Sequence, residues 1–80
     1  MKEKLIVLDY FTKKLSRQIE ENQRYREHVK KLEREHGDAW YNTVVIDLPN
    51  HSKSSIQRTT RTIRAITFEI EKSYKGLQDL

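Results

Sequence analysis

Apolar or uncharged residues recur at Leu8, Phe11, Leu15, Gln18, Asn22, Tyr25, Val29, Leu32 and His36, with gaps that alternate between three and four. This is the a/d row of a heptad, the pattern of a helix that packs along a partner helix. No glycine or proline interrupts the chain from Lys2 to His36, and Gly37 supplies a stop. The pattern predicts one helix over residues 3–36, about 50 Å long at 1.5 Å per residue. Asp9–Lys13, Glu20–Arg24 and Glu27–Lys31 are i,i+4 pairs in the favourable order, each worth a few tenths of a kcal/mol. The middle of the row is polar. Either Gln18 and Asn22 lie in the seam, where a buried amide fixes register at some cost in stability, or Ile19 takes their place and both amides face water.

Residues 38–53, DAWYNTVVIDLPNHSK, break the helical period. Thr43, Val44, Val45 and Ile46 are β-branched and Pro49 ends the run, which predicts an extended connector. A lone strand leaves its backbone groups unpaired, so this one must pair with another copy, lie on the helices, or form a structured loop. Trp40 and Tyr41 have two available roles, as anchors of the connector on the helices or as a partner-binding aromatic pair.

Ser54-Ser55-Ile56-Gln57 fits an S-x-x-Q capping box and predicts a second helix from Ser55 to about residue 75. Its seam reads Ile56, Thr59, Ile63, Ile66, Ile70, Ser73, Leu77 and Leu80, and Gly76 falls where the last turn frays or is capped. The connector is long enough to reverse the chain. The expected fold is all-α, a single domain over residues 1–80: an antiparallel coiled-coil hairpin, dimerised into a four-helix bundle or a longer coiled coil.

Composition bears on the dimer. The chain has 80 residues, 35% hydrophobic and 35% charged, too polar to bury a sizeable core alone. There is no cysteine, hence no disulfide framework. The apolar run Leu5 to Leu8 stops at Asp9, too short for a signal-peptide core, and nothing approaches a membrane span. A cytoplasmic protein with no membrane partner is the expectation.

The net charge of +4 is unevenly placed, for residues 48–68 carry Lys53, Arg58, Arg61 and Arg64 and no acid. Arginines every third residue wind slowly around one side of a helix, where each can neutralise a phosphate. Alternatively, Glu20, Glu21 or Glu27 of the facing helix pairs with them and the patch is spent inside the coiled coil.

Within this stretch SKSSIQR, residues 52–58, resembles the start of the recognition helix in bacterial and phage helix-turn-helix regulators. The resemblance implies a serine cap, an aliphatic in the core, and Lys53, Gln57, Arg58 and Arg61 facing the major groove or its phosphates. RTIRAITFEIEKSYKGL, residues 61–77, is similar to the leading helices of small late-transcription activators of Gram-positive phages. Both likenesses imply transcription regulation in a bacterial or phage setting.

Catalytic chemistry finds little footing. His28 and His36 are two turns apart, about 12 Å by the helical rise, too far to share a metal. His51, Ser52 and Asp47 are near in sequence, but so small a core cannot preorganise a triad. With glycine only at positions 37 and 76 there is no phosphate loop. No enzyme activity, metal, cofactor or small-molecule substrate is expected. Two functions stand: a nucleic-acid-associated regulator using Lys53, Gln57, Arg58, Arg61 and Arg64, and a protein-interaction module (adaptor or inhibitor) contacting its partner through the connector, Trp40 and Tyr41, or a helix flank.

Overall fold

The computed structural model describes residues 2–42 and 44–78, without the side chains of 77 and 78. Thr43 and the seam positions Leu77 (side chain) and Leu80 lie outside the described residues. The chain folds as a helical hairpin: α1 spans Lys2–His36, a single 3-10 turn covers Trp40–Asn42, and α2 spans Lys53–Gln78. It is a rod with extents of 65 × 17 × 15 Å.

The helices run antiparallel. Lys4 Nζ donates to Ser73 Oγ at 3.3 Å near the open end, and Gln18 Nε2 donates to Ser55 Oγ at 3.2 Å toward the connector. The heptad rows form the contact between them as far as Asn22; α2 begins there, so the α1 row beyond it, Tyr25 to Leu32, lies alongside the connector. From Leu8 to Leu32 every a/d position of α1 is buried or half-buried, and so is every one from Ile56 to Ser73 in α2. His36, at the end of the row, is exposed because the chain leaves the helix at the next residue.

Gln18 is 2% exposed while Ile19 is 48% exposed, so the amides occupy the seam. Opposite them Thr59 is also buried and returns its hydroxyl to Ser55 O at 3.2 Å. Gln18 Oε1 is buried with no hydrogen-bond partner among the described residues. Leu32, 6% exposed, is the one buried hydrophobic side chain among them.

α1 ends as its glycine requires. Gly37 takes φ +77°, open to glycine without strain, and its N–H donates to Glu33 O at 2.9 Å. Beyond the 3-10 turn, residues 44–52 run without helix, and among the described residues no strand forms. Val44 and Ile46 are half-buried and Val45 is 93% exposed, so the connector lies along the helices with alternate side chains outward.

α2 begins at Lys53, two residues before the expected start at Ser55. Ser52 is the cap: its Oγ accepts from Ser55 N at 3.1 Å and its carbonyl from Ile56 N at 3.1 Å. The helix then passes through Gly76 without ending. Of the three expected intrahelical pairs, Asp9–Lys13 forms at 2.9 Å, and the carboxylate hydrogen bond raises the Lys13 pKa. Glu20–Arg24 and Glu27–Lys31 are not among the ion pairs; Glu21 pairs with Arg17 at 3.5 Å, and Glu27 accepts from Gln23 at 3.4 Å. Among the described residues no helix is long and apolar enough to cross a membrane.

Candidate nucleic-acid interface

The start of α2 is held in place by α1. Asn22 clasps the backbone of His51 from both sides: His51 N donates to Asn22 Oδ1 at 2.6 Å, and Asn22 Nδ2 donates to His51 O at 3.0 Å. The His51 ring reaches the same helix, with Nε2 3.3 Å from Glu21 Oε2. These bonds fix the residue before the Ser52 cap. They thereby fix the direction and rotation of the whole second helix.

That rotation decides which side chains face out. At 100° per residue, with Ile56, Thr59, Ile63 and Ile66 in the seam, Arg61 lies on the opposite side, and Arg58 and Arg64 lie to either side of it. Lys53, Gln57, Arg58, Arg61 and Arg64 are all exposed. Gln57, Arg61 and Arg64 line a shallow groove of about 300 Å³ with Ile56 and Thr60. None of the four cations forms an ion pair among the described residues. The glutamates that could have neutralised them are engaged elsewhere or face away: Glu21 meets Arg17 and His51, and Glu27 meets Gln23. Among the described residues the antiparallel seam leaves the arginine row without a carboxylate partner.

The aromatic pair divides between its two possible roles. Trp40 is half-buried and meets Tyr41 edge-on at 6.2 Å between ring centroids, whereas Tyr41 is 67% exposed. Near it along the connector, Val45 and Leu48 are exposed as well. His51 is half-buried and committed to α1, so it does not stand beside Ser52 as a base; the Ser52 hydroxyl caps the helix. Among the described residues no group of three or more His, Cys, Asp or Glu is placed to hold a metal ion.

The clasp was not legible beforehand. Asn22 looked like a seam residue and His51 like a loop residue, and only their meeting across 29 positions reveals what they do. No protein-family model, curated protein or solved structure matches this chain.

Proposed function

We propose that this chain is a small, non-enzymatic regulatory protein of the bacterial or phage cytoplasm. It binds nucleic acid by laying the outer face of α2 along the phosphate backbone. The observation that carries the reading is the row Lys53, Arg58, Arg61 and Arg64, exposed and without a carboxylate partner among the described residues. Four cations on one rigid helix, in a stretch with no acid from residue 48 to 68, make a favourable site for a polyanion. Because residues 44–52 are not helical, α2 stands without a helix immediately before it. The contact is therefore with phosphates more than with base edges, and Gln57 is the neutral side chain best placed to reach a base.

The test is a titration against labelled duplex at several salt concentrations. Binding at low salt should weaken steeply, with a log–log slope near −4 if each cation displaces one counterion. Arg58→Ala/Arg61→Ala should bring the slope to about −2. Absence of binding at low salt, or an unchanged slope in the double variant, removes the proposal.

A second reading has support in the connector. Tyr41, Val45 and Leu48 are exposed apolar side chains of one segment, which suit a protein partner better than a phosphate chain. An adaptor or inhibitor using it would keep its partner when the arginines are removed and lose it on Tyr41→Ala.

A further inference from the structure

The seam is not the only heptad-spaced row on this hairpin. With Leu8 and Leu15 as a positions, the e positions of α1 are Leu5, Thr12, Ile19, Arg26 and Glu33; with Ile56 and Ile63 as a positions, those of α2 are Lys53, Thr60, Thr67 and Tyr74. In a two-helix coiled coil the e and g positions carry the charges. Here the charged ones, Arg26, Glu33 and Lys53, all lie toward the connector and the six of the open arm are uncharged, while the g positions on the other flank of that arm include Lys14 and Glu69. Antiparallel pairing sets both e rows on the same side of the molecule. Ile19 and Ile56 accordingly share one groove, closed toward the connector by Arg26 and Asn50, whereas Val7, Ile66 and Glu69 share another.

Joined to the a positions, the e rows make one continuous face: Leu5, Leu8, Leu15 and Ile19 from α1, and Ile56, Ile63, Ile70 and Tyr74 from α2. Leu5, Ile19 and Tyr74 are about half exposed, and the threonines between them turn their hydroxyls inward onto the backbone. An a/d/e stripe is that of a helix with neighbours on two sides. Each helix of the hairpin has one long neighbour.

We infer that this a/e face binds a second copy of the chain, making an antiparallel four-helix bundle of two hairpins related by a two-fold axis. Two arguments single out a copy. Over the open arm the face carries no charge at its e positions, so it meets itself across a two-fold with no like-charge repulsion and offers nothing to select a partner of opposite sign. The exposed area is also in excess: the chain exposes 6767 Å² at 9.7 kDa, against about 5,100 Å² for a compact monomer of that mass. The surplus exceeds the roughly 800 Å² per partner that a stable interface buries. The inference does not depend on nucleic-acid binding: Arg58 lies on the far side of α2, and Arg61 and Arg64 only border the face, at the groove they line with Ile56 and Thr60.

Sedimentation equilibrium over a dilution series from millimolar to micromolar tests it. The wild-type chain should sediment at twice 9.7 kDa and dissociate on dilution, with a melting temperature that falls in parallel. Ile19→Glu should sediment at the single-chain mass with its helical circular dichroism retained. Should Ile19→Glu fail to fold, Thr12→Glu, an exposed position of the same row, serves in its place. Ile6→Glu, exposed and off the face, should leave the dimer intact. A wild-type chain that stays monomeric overturns the inference and leaves the face to some other protein. So does a dimer that survives both e-row variants, or one that Ile6→Glu disrupts.

Discussion

The middle of the hairpin and its open arm are built on opposite terms. At the middle, Gln18 and Thr59 are almost fully buried, yet the contacts are polar: Gln18 to Ser55, Asn22 to His51, Thr59 to its own helix. From about 5 to about 15 Å along the rod, by the helical rise, Leu15, Ile63, Leu8 and Ile70 remain half-buried. The difference comes from the number of neighbours. Two helices in contact shelter only the line between them, and an aliphatic side chain beside that line keeps one side wet. At the middle a third segment arrives, residues 51 and 52, and closes the site. Directional bonds there fix the register, whereas the aliphatic arm supplies burial energy that a shift by one heptad would largely preserve.

Breaking the middle should therefore cost the most. Asn22→Ala removes both bonds to the His51 backbone and leaves that N–H and C=O to find other partners, which costs about 2 kcal/mol. In a domain of this size that corresponds to a melting temperature about 10 °C lower. Thermal unfolding followed by circular dichroism at fixed chain concentration reads it directly. The open arm should be more forgiving. Ile66→Ala deletes a half-buried side chain off the a/e face and should cost about 1 kcal/mol, below the usual range for fully buried isoleucine. If urea titration shows Ile66→Ala to be the worse of the two, the contrast drawn between the regions is mistaken.

The sequence revealed the rows better than the joints. Heptad spacing located the seam from Leu8 to Leu32 and from Ile56 to Ser73, because a helix converts spacing into facing without help from elsewhere. Ser52 was missed as the cap in favour of Ser54, since both fit the local pattern. The choice is made at a distance, by Asn22 holding the residue in front of Ser52. The arginine row was visible, but whether the facing glutamates would reach it depended on the relative rotation of the two helices, which the same clasp sets. The uncharged e positions were equally present in the letters. They became a single surface only once the helices were known to run antiparallel.

Gln18 carries the smallest expected effect and the opposite sign. Its amide donates one bond to Ser55 Oγ, while its Oε1 is buried without a partner among the described residues. An orphaned buried acceptor costs more than one neutral hydrogen bond returns, and Ser55 lies in the first turn of α2, half open to solvent. Gln18→Leu should therefore raise stability, by somewhat under about 1 kcal/mol. The gain has a structural counterpart. With leucine at position 18 the aliphatic row continues unbroken from Leu8 through Leu15, and Asn22 alone is left to oppose a slipped pairing. Amide hydrogen exchange should then show a more stable seam but weaker protection at His51 and the first turn of α2. A loss of stability in Gln18→Leu would mean that the Ser55 bond outweighs the orphaned oxygen, and that the polar middle contributes binding energy as well as register.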